Sequence, residues 1–184
     1  MRIPLDLGLS REQRLAELGR DLVNAACLHG GFVLSSGVES TFYFDKYLFE
    51  TKPGILRRTA NLLAELVPSE ADRLAGSELG GVPLATAVAL ETGLPFLILR
   101  KPGDAHHLPR AVEGELYAGE RVVLLEDVLA TGQQAVRAGQ LLKSAGADTL
   151  LALGVVDRQQ GATERLASIG LQLKTLFRLS ELGM

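Results

Sequence analysis

Residues 122–136 read VVLLEDVLATGQQAV. Four apolar residues run into an acidic pair, Glu126 and Asp127. Two more apolar residues follow, then Ala130-Thr131-Gly132, then a stretch able to turn helical. An unbroken apolar run of this length fits a strand buried on both faces, as in a parallel sheet covered by helices. In such sheets ligands sit beyond the carboxyl ends of the strands, where this reading places both carboxylates. The small residues after them let backbone N–H groups converge at a helix N-terminus, which favours an anion. One segment thus offers an anion cradle beside two acceptors for hydroxyls, the combination a sugar phosphate requires. A solvated acidic turn followed by a capped helix fits the same letters, so both readings stand on this segment alone.

The pattern repeats on either side. DRLAGS (72–77), PFLILRK (95–101), RVVLLED (121–127), DTLLALGVVDRQ (148–159) and LQLKTLFRL (171–179) read as strands. GGVPLATAVALETG (80–93), TGQQAVRAGQLLKSAG (131–146) and GATERLASIG (161–170) read as helices between them. Apolar strands alternating with helices predict an α/β fold: a doubly wound, mostly parallel sheet over about residues 70–178. Strands are expected near 72–76, 95–99, 121–125 and 150–156, with residues 102–120 a long polar loop. Upstream, residues 10–30 read as a helix. Ser10 is its N-cap, Leu15, Leu18, Leu22 and Ala26 form its apolar stripe, and Gly30-Gly31 ends it. Cys27 is expected on its buried face. Residues 32–49 read as strand and turn with a bend at Gly37. Residues 52–68 read as a second helix, with Pro53 in its first turn and Pro68 past its end. The expectation is one domain over 1–184, with about 1–50 as a small N-terminal hood.

The totals narrow the function. With 184 residues, 47% of them apolar and 22% charged, the chain is globular. A net charge of −3 argues against a broad nucleic-acid surface. A single cysteine suits a reducing cytosol. The N-terminal letters carry no signal-peptide core, and no apolar run reaches membrane-spanning length. Neither the glycine fingerprint of dinucleotide folds nor the phosphate-binding loop ending in Gly-Lys-Ser/Thr occurs.

VVLLEDVLATGQ resembles the phosphoribosyl-pyrophosphate motif of type I phosphoribosyltransferases. Four further segments, in order, are similar to those of the orotate phosphoribosyltransferase family: GGFVLSSGVESTFYFDKYLFET (30–51), AGSELGGVPLATAVA (75–89), LILRK (97–101) and VVDRQQG (155–161). The resemblance implies transfer of a phosphoribosyl group from phosphoribosyl pyrophosphate to orotate, giving orotidine 5'-monophosphate and pyrophosphate. It makes Glu126 and Asp127 the catalytic pair on the ribose hydroxyls, and Ala130, Thr131, Gly132, Gln133 and Gln134 the 5-phosphate loop. It gives the pyrophosphate to Ser77, Glu78, Leu79 and Gly80, with Arg100 and Lys101 on phosphate oxygens. Arg158 would pair with the orotate carboxylate in a bidentate way, with Tyr43 and Phe44 near the base. Magnesium (Mg2+) would be held mainly by substrate and water, with no protein cage. A cytoplasmic homodimer is implied, because the family's mobile loop acts across an interface. In that loop Asp104 stands where the family carries a lysine, His106 falls on its His/Tyr position, and His107 replaces a glycine. Ser35 stands where a basic residue is common, and Ala130 replaces a threonine. These departures keep open a non-catalytic ribose-phosphate sensor and a transferase for another base.

Overall fold

A computed structural model describes residues 8–33, 39–101 and 111–183. Helix α1 (Arg11–Ala26) opens with a capping box: the Ser10 hydroxyl accepts from the Gln13 N–H, and the Gln13 side chain accepts from the Ser10 N–H. Strands β1 (Cys27–Val33) and β2 (Glu39–Phe44) form an antiparallel two-stranded sheet. The short helix α2 (Lys46–Glu50) follows, then α3 (Pro53–Ala64) with its proline in the first turn.

The main sheet is built from β3 (Arg73–Ser77), β4 (Phe96–Leu99), β5 (Val112–Glu113), β6 (Arg121–Leu129), β7 (Asp148–Asp157) and β8 (Leu173–Arg178). Its order is β5-β4-β3-β6-β7-β8, parallel throughout except for β5. Helices α4 (Gly81–Thr92), α5 (Gln133–Ser144) and α6 (Ala162–Ala167) connect the parallel strands, and a 3-10 turn (Leu179–Leu182) ends the described chain. The predicted doubly wound, mostly parallel sheet is what the chain forms.

Both faces of the sheet are covered. Val123 and Leu125 of β6 and Leu153 and Val155 of β7 face a core shared with α1, α3 and α4. Val122 and Leu124 of β6 and Ala152 of β7 face α5 and α6 through Ala138, Leu142 and Leu166. Helix α1 enters the first of these cores through Leu18, Leu22 and Ala26. It also approaches the end of the chain, since a side chain at Gly19 would lie 3.2 Å from Phe177 and from Leu182.

Three local expectations are revised. Helix α1 stops at Ala26, so Cys27 is the half-buried first residue of β1 and not a buried helical one. Pairing of Cys27 with Phe44 claims the backbone there, and a bulge between His29 and Phe32 takes up Gly30-Gly31 inside the strand. Residues 45–50, read as strand and turn, form α2, whose N-cap Asp45 accepts from the Tyr47 N–H. The loop over 102–120 contains β5, which pairs antiparallel with β4. Gly37 and Ser35 lie outside the described residues.

Candidate active site

Strand β6 is longer than its neighbour β3, and that difference builds the site. Pairing between the two ends at Gly76 with Leu125, while pairing with β7 continues to Leu129. From Glu126 onward one edge of β6 is therefore open toward the loop after β3. The acidic pair does stand at the carboxyl edge of the sheet, although within the strand and not past its end. Strand alternation turns the two side chains to opposite faces. Glu126 shares the face of Val122 and Leu124, and Asp127 that of Val123 and Leu125. Both are buried.

The Ser77 hydroxyl donates to Glu126 Oε1 at 2.8 Å. Burial raises the pKa of Glu126 to about 7; the Ser77 hydrogen bond opposes the rise, and the Asp127 charge adds to it. Asp127 Oδ1 accepts from the Val128 N–H. Its Oδ2 lies 2.6 Å from Lys46 Nζ, forming an ion pair. Burial works to lower the Lys46 pKa, but the Asp127 carboxylate outweighs it, and the net shift is upward. Lys46 thus stays cationic at neutral pH. One turn further along α2, Glu50 is also buried, and its pKa is raised to about 8 by burial and by the Asp127 charge.

Lys46, Ser77, Glu126 and Asp127 edge a cleft of about 970 Å³. On one side lie Ser77, Glu78, Arg100 and Lys101; at the base lie Glu126 and Asp127; on the other side runs Ala130 to Gln134, which leads into α5. Gly132 takes φ +73° as the N-cap of α5, and a side chain there would press against Ala162, so glycine suits the position on both counts. The Gln134 amide donates to the Glu78 carbonyl at 3.1 Å and ties the two walls together. Arg100 is held between Glu78, at 3.9 Å, and Glu113, at 3.7 Å. The Lys101 N–H donates to the Glu78 carboxylate at 3.3 Å. Such a cleft can seat an anion at each wall with a polyhydroxylated ring over the carboxylates.

Other expected site residues stand apart from the cleft lining. Leu79 is exposed and Gly80 lies behind Asp127. Arg158 follows β7; its N–H donates to the Leu129 carbonyl, and its buried Nε has no hydrogen-bond partner among the described residues. Tyr43 is part-exposed and stacks obliquely on Phe32, whereas Phe44 is buried against Phe49. Asp104, His106 and His107 lie outside the described residues. Sequence reasoning missed Lys46 and Glu50. Their spacing of four after an Asp N-cap was the available signal, but nothing local says that they meet a strand some 80 positions later.

The phosphoribosyl transferase domain family matches residues 49–170. Orotate phosphoribosyltransferase from Pyrococcus furiosus is 44% identical over 170 residues, covering 90% of this chain and 93% of that protein. The crystal structure of Mycobacterium tuberculosis H37Rv orotate phosphoribosyltransferase in complex with Fe(III) dicitrate superposes with a TM-score of 0.84 at 30% identity, over 93% of this chain and 99% of that one. Leishmania donovani UMP synthase superposes with a TM-score of 0.78 at 33% identity over 90% of this chain, which spans 36% of that longer protein. A matched domain over most of the chain, full-length relatives and the same sheet lead to one conclusion: the chain belongs to the phosphoribosyl transferase domain family and, within it, to the orotate phosphoribosyltransferases.

Proposed function

We propose that this chain transfers the phosphoribosyl group of phosphoribosyl pyrophosphate to orotate, releasing pyrophosphate and forming orotidine 5'-monophosphate. The observation that carries the reading is the cleft itself, where the buried Glu126–Asp127 pair lies between the loop Ala130–Gln134 and the Arg100–Lys101 strand end. In this reading the 5-phosphate sits on Ala130 to Gln134, at the N-terminus of α5. The ribose hydroxyls donate to Glu126 and Asp127. Pyrophosphate lies along Ser77 to Gly80, with Arg100 and Lys101 beside it.

The orotate ring nitrogen forms a bond to the anomeric carbon as the bond to the pyrophosphate oxygen breaks; pyrophosphate leaves with the electron pair, and the ring N–H proton passes to a pyrophosphate oxygen or to water. Positive charge develops on the ribose, and carboxylates fixed beneath it favour that charge without reorganising. Arg158, with a buried Nε lacking a hydrogen-bond partner among the described residues, is the group we assign to the orotate carboxylate. The oxygen-rich donors of the cleft suit a hard cation. Among the described residues no cluster of three or more His, Cys, Asp or Glu side chains could hold a metal ion. In this reading magnesium is held through ligand oxygens and water, and supplies charge neutralisation on the leaving pyrophosphate. The same reading makes the protein a cytoplasmic homodimer, and the exposed Leu28, Val33 and Tyr43 of the β1–β2 hairpin offer apolar surface for such contact.

The test is a pyrophosphate-release assay with orotate set against adenine, uracil and guanine. Release that requires orotate is the expected result. Release with a neutral base and none with orotate would remove Arg158 from its role and the reading with it.

A further inference from the structure

Behind the ribose site, buried Glu50 Oε1 has no hydrogen-bond partner among the described residues, and Asp127 Oδ2 meets the Lys46 ammonium at 2.6 Å. The two oxygens meet at one point. A side chain built on Gly80 would overlap Asp127 Oδ2 and come within 2.6 Å of Glu50 Oε1. Two ionised carboxylates offer only lone pairs to each other, and neither gains a donor from the contact. A single proton resolves this, since a protonated Glu50 donates to Asp127 and its oxygen is then satisfied. Burial and the Asp127 charge do raise the Glu50 pKa, to about 8. The charged groups facing Glu50 are Asp127 of β6, Lys46 of its own helix and Asp45 at the helix start; Lys46 opposes the rise and Asp45 adds to it.

Lys46 and Glu50 stand one helical turn apart on α2, and both reach Asp127. We propose that Glu50 is a positioning residue for the ribose site: it donates a proton-bearing oxygen to Asp127 and, with Lys46, clasps that carboxylate in the orientation that receives the ribose hydroxyls. The clasp also sets the charge. With Glu50 neutral and Lys46 cationic, Asp127 is the anionic member of the trio, and the cluster is balanced before substrate arrives. Loss of the Glu50 proton places two anions against each other, and Asp127 must turn or draw Lys46 away from the cleft. Gly80 belongs to the same device, because its bare Cα leaves room for the two oxygens to meet.

The inference rests on the proposed ribose role of Asp127, so its test has two arms. Carboxyl-carbon NMR of the 13C-labelled ligand-free protein addresses the clasp alone. One carboxyl is expected to titrate near pH 8, to vanish in Glu50→Gln and to move downward in Asp127→Asn. The KM for phosphoribosyl pyrophosphate, measured from about pH 7 to about pH 9, addresses positioning. It is expected to rise roughly three- to tenfold in the wild type as the proton is lost, with a smaller change in kcat. In Glu50→Gln, whose amide donates at every pH, that rise is expected to disappear. Glu50→Leu, which has no donor, should show a raised KM across the whole range; its melting curve identifies a folding defect, and the Gln variant decides the matter if there is one. The proposal is overturned if no carboxyl that Glu50→Gln removes titrates above the ordinary range, or if the wild-type and Glu50→Gln profiles superimpose. Failure of the wild type to bind phosphoribosyl pyrophosphate at any pH overturns the ribose assignment and the positioning role with it. The NMR midpoint separates that failure from failure of the clasp.

Discussion

Asp127 is held through both of its carboxylate oxygens. It accepts from the backbone through Oδ1 and faces Lys46 and Glu50 through Oδ2, whereas Glu126 is anchored by Ser77. Asp127→Asn is expected to weaken phosphoribosyl pyrophosphate by about 1–3 kcal/mol, roughly 5- to 150-fold, since a charged acceptor for ribose hydroxyls is lost. Binding of inorganic phosphate at residues 130–134 should be retained; calorimetric titration of both ligands checks the difference, and equal losses would count against the roles. Asp104→Lys puts back the cation of the family pattern and removes a carboxylate. If residue 104 faces pyrophosphate at an exposed position, relief of repulsion is worth about 1 kcal/mol, roughly a fivefold gain in orotate turnover in a steady-state assay. Unchanged or slower turnover would mean that the loop works otherwise. At this scale the sequence disclosed the residues that follow one another along β6 and into α5, because spacing along a strand fixes their neighbours. Lys46 and Glu50 were hidden, because they reach the site only through packing. Arg158, Tyr43 and Phe44 stand off the cleft lining for the same reason: a strand end can be read from letters, but the direction of its side chain in the assembled fold cannot.

Helix α2 has five residues and too few internal hydrogen bonds to persist alone. What holds it is Phe49, fully buried and 6.0 Å from the Phe44 ring. Phe49→Ala is expected to cost about 3–5 kcal/mol of stability in urea unfolding. Because the same helix presents Lys46 and Glu50 to Asp127, the affinity for phosphoribosyl pyrophosphate should fall as well, even where the variant remains folded. A loss of stability with undiminished affinity would detach α2 from the site. Strands β6 and β7 were legible because their apolar runs are long, and helix α5 because Gly132 and Gly146 bound it. The end of α1, the whole of α2 and strand β5 were not. Each is short, and each is decided by a partner distant in sequence: Phe44 for the first residue of β1, the core for α2, and β4 for β5.

Across the whole molecule, buried and surface carboxyls pull stability in opposite directions with pH. Glu50, at about 8, and Glu126, at about 7, hold their protons more tightly folded than unfolded. Between the ordinary carboxyl range and those values the native state carries the extra protons, so their contribution is full at low pH and lost as pH rises through about 7 to 8. Asp72, held by Arg121, and Glu120, held by Arg73, are shifted downward. Their contribution is present above the ordinary carboxyl range and lost as pH falls through it. The melting temperature is therefore expected to decline on both sides of a maximum near about pH 5. Glu50→Gln should flatten the alkaline limb alone, which a calorimetric pH series will read. An alkaline limb identical in wild type and variant would show that the Glu50 carboxyl does not carry the extra proton. The α/β plan was legible at this scale because alternation of strand and helix is a property of the whole chain. That α1 joins the main core was not, since an amphipathic stripe states only that a partner exists.

The docking of α1 on Phe177 and Leu182 has a consequence during synthesis. The helix leaves the ribosome more than 150 residues ahead of those partners. At about 5–20 residues per second, the Gly19 face of α1 waits on the order of ten to thirty seconds for them. Through that interval α1 can pack on α2 and α3, yet its Gly19 face stays uncovered, which marks that face as one on which a trigger-type chaperone would act. Ribosome-stalled chains that display residues up to 160 should leave α1 more open to protease than chains that also display Phe177 and Leu182.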